Sequence, residues 1–162
     1  MSNLIRRIMV YVDGTEQSVT AAQYAICLAS ATGADLFACY VGNTRAVEDL
    51  LKARIFLADE QLEYEHDMEA DAERYLNYVN ELGLKKGVPV TRIQSKGSVH
   101  KEIIDALNAN EVDLLVIGEV SRIRSRRDEF YDEAERAMRS AACSVLIVKD
   151  ADRVWEMYES LG

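Results

Sequence analysis

Proline occurs once in 162 residues and glycine eight times, so no low-complexity tract or long flexible linker is visible. No stretch of eighteen consecutive apolar residues occurs, which argues against a membrane-spanning helix. The opening MSNLIRRIMVYVDG holds two arginines, but Asp13 interrupts its apolar run and no small-residue cleavage site follows. It does not read as a signal peptide, and the cytoplasm is the expected compartment. Cysteine is scarce: Cys27, Cys39 and Cys143 are an odd number, contain no C-x-x-C pair and sit in the apolar contexts AICLA, FACYV and AACSV. They read as buried reduced thiols rather than redox or metal-binding groups. His66 and His100 stand far apart with no ligand spacing, and no metal site is expected. Positive charge is in the minority, 19 Lys and Arg against 28 Asp and Glu, for a net charge of −9. Non-specific nucleic-acid binding depends on a basic surface and is excluded on that ground. A small anionic ligand stays open, because it needs only a local cluster of donors.

What the chain does contain is a regular alternation. Apolar residues make up 49% and charged residues 29%, the composition of one globular domain of this length. RIMVYVD reads as a buried strand ending in an Asp-Gly turn. TEQSVTAAQYAICLASATG follows as an alanine-rich helix, with Thr15 as N-cap and Gly33 as its stop. DLFACYVG is a second strand. A long helical stretch from Thr44 to Lys86 places Met68, Ala72, Tyr75, Leu76, Val79 and Leu82 on one face. The acidic opposite face reads as solvated. VPVTRIQSKG is a weaker third strand, SVHKEIIDALNANEV a helix capped by Ser98, and DLLVIGEV a fourth strand. RDEFYDEAERAMRSAAC is a further helix and SVLIVK the fifth strand. Continuous apolar strands alternating with helices predict a parallel sheet covered on both faces, the doubly wound α/β class. Ligands of such sheets bind beyond the strand carboxyl ends, here Asp13, Val41 with Gly42, Gly97 and Gly118. Residues 1–150 read as the domain, with Thr44–Glu60 open as a lid or an extra helix. Residues 151–162 read as a C-terminal amphipathic tail carrying Val154, Trp155, Tyr158 and Leu161.

IMVYVDGTEQSVTAAQYAICLA, DLLVIGEVS and SVLIVK together resemble the universal stress protein family, and the likeness covers nearly the whole chain. The resemblance implies an adenine nucleotide alpha hydrolase-like sheet of order 3-2-1-4-5 and a homodimer. One branch of that family binds ATP or AMP through G-x2-G-x9-G-[ST] after the fourth strand; another lacks the motif and does not bind ATP. Without insertions, Gly118 fits the first glycine, but Ser121 and Tyr131 fall on the second and third, and Asp132 on the hydroxyl position. Glycine lets backbone amides wrap a phosphate closely. Tyr131 would fill that space, and Asp132 would cap the helix with a negative charge and repel a phosphate. Ser121 is the milder loss.

Arg122, Arg124, Arg126 and Arg127 admit two readings. They could bind phosphate in place of the amides, or pair with Asp128, Glu129, Asp132 and Glu133 on a solvent-facing loop. On the second reading the loop is the remnant of a nucleotide site. The resemblance also places Asp13 at a nucleoside contact and Val41 on the adenine side. Asp13 is equally suited to capping the turn into the first helix through the Thr15 and Glu16 amides, and Val41 to ending a buried strand.

In the order 3-2-1-4-5 the fifth strand is an edge, and Val145, Leu146, Ile147 and Val148 make it apolar. Such an edge invites pairing with a second copy. Trp155, Tyr158 and Leu161 either cover it, brace the partner or fold back on their own subunit. No Ser-His-Asp ordering, carboxylate pair or metal-ligand cluster converges on a strand end, so catalysis beyond slow ATP hydrolysis has no support. The leading expectation is a dimeric regulatory or partner-binding module, in the stress response, with a degenerate nucleotide site, no cofactor and an unidentified protein partner. The alternative is an ATP- or AMP-binding protein that uses the four arginines.

Overall fold

The computed structural model describes residues 4–44, 52, 58–119 and 133–162. Its centre is a parallel sheet of order β3-β2-β1-β4-β5, built from β1 (Arg7–Tyr11), β2 (Asp35–Gly42), β3 (Val90–Lys96), β4 (Leu114–Gly118) and β5 (Ser144–Val148). Order and direction are those expected from the sequence. The central strand β1 aligns Ile8 with Leu36 on one side and with Leu114 on the other. The described helices are α1 (Glu16–Thr32), α2 (Ala58–Leu84), α3 (Val99–Ala109), α4 (Glu133–Ser140) and α5 (Ala151–Ser160).

Alternate residues of β1 face opposite layers, as a period of two requires. Ile8, Val10 and Val12 pack with α1, α2 and α5, while Met9 packs with α3 and α4. The alanines of α1 serve the first layer: Ala21, Ala22 and Ala25 are wholly buried, and their short side chains bring the helix axis close to the sheet. Thr15 caps α1 as expected, accepting the Ser18 amide at 3.2 Å, and Gly33 stops it in the left-handed conformation at φ 73°. On α2, Ala72, Leu76, Val79 and Leu82 are buried, on the face that the helical spacing indicates. That helix continues through Gly83 to Leu84.

Ser98 occupies the N-cap position of α3, yet its side chain does not cap the helix. Its hydroxyl instead lies 3.2 Å from His100 Nδ1. The tail forms α5 and docks on its own subunit. Val154 and Tyr158 are buried in the α1–α2 layer, and the Tyr158 hydroxyl donates to the Leu82 carbonyl at 2.7 Å. Lys86 Nζ donates to the Leu161 carbonyl at 2.9 Å and lies 5.0 Å from the centre of the Tyr158 ring. Trp155 stays 55% exposed. At the sheet edge, Ile147 is 38% exposed while Val148 is buried.

All three cysteines are free, with Cys27 and Cys39 buried. Burial pushes the Cys39 thiol up to about 12 and raises Cys27 and Cys143 as well, so none has thiolate character at neutral pH. No described helix is long and apolar enough to cross a membrane.

Candidate functional site at the strand carboxyl ends

Because neighbouring strands run parallel, their carboxyl ends open on the same side. There a cleft of about 560 Å³ lies between the sheet and α2, a size suited to a small molecule. Tyr11 and Asp13 reach it from the end of β1, and Tyr40, Val41 and Asn43 from the end of β2. Tyr64, Asp67, Met68 and Asp71 come from α2, with Val99 and Ala134 completing the wall. A smaller recess of about 80 Å³ adjoins it, lined by Thr15, Gln17, Gly118 and Glu119 and sharing Tyr11, Asp13 and Ala134 with the cleft.

Asp13 is held by the first turn of α1. Its Oδ1 accepts the Thr15 amide at 3.0 Å and the Thr15 hydroxyl at 2.6 Å. The Asp13 amide donates to the Ser18 hydroxyl at 3.3 Å, and that hydroxyl donates to the Thr15 carbonyl at 2.9 Å. The carboxylate thus caps the turn, with both donors supplied by Thr15, and still lines the cleft. The two readings of Asp13 are compatible in space.

Val41 is buried at the cleft wall, where a strand-ending valine belongs. Gly118 has a packing reason of its own. A Cβ there would fall far inside van der Waals contact of the Gln17 carbonyl oxygen, because the start of α1 crosses the end of β4. Ser121, Arg122, Arg124, Arg126, Arg127, Tyr131 and Asp132 lie outside the described residues, as does most of Thr44–Glu60.

Sequence reading passed over the α2 wall and the tyrosines. Asp67 is exposed and Asp71 half-exposed, in keeping with a solvated acidic face, and both also border the cleft. The signal was spacing: Tyr64, Asp67, Met68 and Asp71 recur at three- and four-residue steps, beside the apolar stripe. Among the described residues that line either hollow, acids stand at 13, 67, 71 and 119, and there is no lysine, arginine or histidine. Burial, followed by the nearby Asp71 carboxylate, raises the Tyr40 phenol above its ordinary range, with Asp13 contributing. At the rim, Arg74 donates to Asp71 at 2.7 Å and its guanidinium lies 5.0 Å from the centre of the Tyr75 ring. No described group of three His, Cys, Asp or Glu side chains is placed to share a metal ion.

The profile of the universal stress protein family matches residues 4–149. The chain belongs to that family. A universal stress protein of Methanocaldococcus jannaschii is 28% identical over 147 residues, 91% of this chain and 84% of the relative. A universal stress protein solved in complex with cAMP superposes with a TM-score of 0.64 at 20% identity, covering 89% of this chain and 96% of the other. One from Archaeoglobus fulgidus solved in complex with dAMP gives 0.62 at 16% identity, covering 90% and 98%. At these identities the structural likeness establishes the family's Rossmann-like α/β fold, while its ligands are properties of those proteins.

Proposed function

We propose that this universal stress protein is a dimeric, non-catalytic regulatory module of the cytoplasm, whose strand-end cleft has lost its grip on phosphate. The observation that carries the reading is the charge of the cleft. Its described lining offers Asp13, Asp67 and Asp71, with Glu119 in the adjoining recess, and no cation. Carboxylates in a partly desolvated hollow repel a phosphate. The sequence of the following loop points the same way, since Tyr131 and Asp132 stand where the nucleotide-binding branch has glycine and a hydroxyl residue. Regulation would then run through a protein partner rather than through nucleotide turnover. The exposed Ile147 on the edge strand favours pairing with a second copy.

A second reading keeps an adenine nucleotide, with Arg122, Arg124, Arg126 and Arg127 gripping phosphate in place of the glycine loop and hydrolysing ATP slowly at most. The cAMP and dAMP complexes of structural neighbours and a cleft large enough for a nucleoside favour it. Mass spectrometry of small molecules released from the purified protein separates the two. The first reading expects no ATP or AMP; a stoichiometric adenine nucleotide would establish the second.

A further inference from the structure

We propose that Tyr75 is a positioning residue: its ring straps α2 to the Asp13 turn and so fixes the walls of the strand-end cleft. The strap joins walls and involves no ligand, so its test is independent of the phosphate-free reading. The ring fits into the turn itself. A Cβ on Gly14 would lie 2.5 Å from both Cε2 and Cζ of Tyr75 and 2.9 Å from its hydroxyl oxygen. The ring thus fills the space that a side chain at position 14 would take, and glycine is what lets backbone and ring come this close.

Three cleft-lining residues from three elements meet at this ring, although Tyr75 itself lies behind the lining. Asp13, at the end of β1, is the chain neighbour of Gly14. Tyr40, from β2, has its ring centre 6.0 Å from that of Tyr75 at an interplanar angle of 42°, a favourable tilted pair. Asp71, from α2, is reached through Arg74. One guanidinium nitrogen donates to Asp71 Oδ1 at 2.7 Å and to the Tyr75 hydroxyl at 3.2 Å.

These links are unequal. The guanidinium is exposed, and exposed ion pairs hold weakly. The ring is half-buried and packed on the α1–α2 core layer, so the ring contact is the stronger fastening. The two Thr15 bonds to Asp13 close the turn on itself, whereas Tyr75 ties that turn to another element. Walls joined in this way have one shape before anything binds, which lowers the ordering cost of binding.

The test is NMR of the full chain without ligand, reading amide exchange and the Gly14 Hα shifts. The Thr15 and Ser18 amides, which donate within the turn, are measured as a ratio to Leu115 and Val116 of the buried strand β4. A general loss of stability then cancels, and local opening remains. Tyr75→Leu keeps apolar bulk against the core but removes the ring. It should speed exchange of both turn amides several-fold relative to β4, and move the Gly14 Hα shifts toward unfolded values as the ring current is lost. Tyr75→Phe keeps the ring and gives up only the Arg74 bond, so both readouts should stay near those of the parent. Tyr78→Leu, the same change at a 46% exposed position of the same helix, should also leave them in place. Parent-like exchange in Tyr75→Leu, or an equal acceleration in Tyr75→Phe or Tyr78→Leu, would overturn the proposal.

Discussion

Gly118 is the residue at which family resemblance and local packing make different claims. As the first glycine of a nucleotide motif, it would matter only to a ligand. In the structure, the Gln17 carbonyl occupies the space a Cβ would need. Gly118→Ala should therefore destabilise the protein without any ligand, by about 1–3 kcal/mol as an overpacked contact against backbone. Gly33→Ala makes the comparison: its φ of 73° is strained for alanine although nothing lies within 4 Å, and a loss near 1 kcal/mol is expected. Urea denaturation of both variants measures the difference, and an unaffected Gly118→Ala would refute the packing account. Asp113 gives a pH signature. Its Oδ2 accepts the Arg6 and Arg7 amides at 2.8 and 2.9 Å, and these bonds hold its carboxyl below the ordinary value. A depressed folded value means that the stabilisation is fully present above the unfolded value, near pH 4. It is lost as pH falls through the folded value. Asp113→Ala should thus lower stability at neutral pH and flatten the acid limb of the stability curve. An acid limb identical to the parent's would show that the two amide bonds contribute nothing.

At the scale of elements, much was legible because few forces compete. Ile8 to Val10 and Leu114 to Ile117 are buried on both faces, which is why their unbroken apolar runs read as central strands. Thr15 and Gly33 end α1 by chemistry that reads directly from sequence. Side-chain direction at helix ends was less legible: Ser98 sits at the cap position but turns to His100. The α2 wall was missed because the polarity of Asp67 and Asp71 says that they avoid the core, not whether they meet water or a cleft. The destination of the tail differs from the leading expectation, in which Trp155, Tyr158 and Leu161 cover the edge strand or brace a partner; the alternative, folding back on the home subunit, is what the structure shows. The buried Tyr158 hydroxyl and its bond to Leu82 give the answer. Tyr158→Phe leaves that carbonyl without its donor and should cost about 1–2 kcal/mol. Hydrogen exchange over residues 151–160 should accelerate together with this loss. Unchanged protection there would mean that the apolar contacts of Val154 and Tyr158 hold α5 alone.

The domain is acidic, with a net charge of −9, and among its described residues it presents an apolar edge strand, β5, and a cleft lined by carboxylates. At the edge, light scattering on the parent and on Ile147→Lys tests the proposed dimer. The parent should have twice the monomer mass, and a charge at the seam should dissociate or unfold it, whereas Glu63→Lys on α2 should do neither. A monomeric parent at tens of micromolar would end the dimer proposal. The cleft carries the central claim, and restoring the motif with Ser121→Gly, Tyr131→Gly and Asp132→Ser should improve ATP binding relative to the parent if the loop is a remnant. The most direct measurement is calorimetric titration of the parent protein with Mg-ATP. The acidic lining and the substituted loop predict weak or absent binding. A dissociation constant in the low micromolar range, about −8 kcal/mol, would contradict the account.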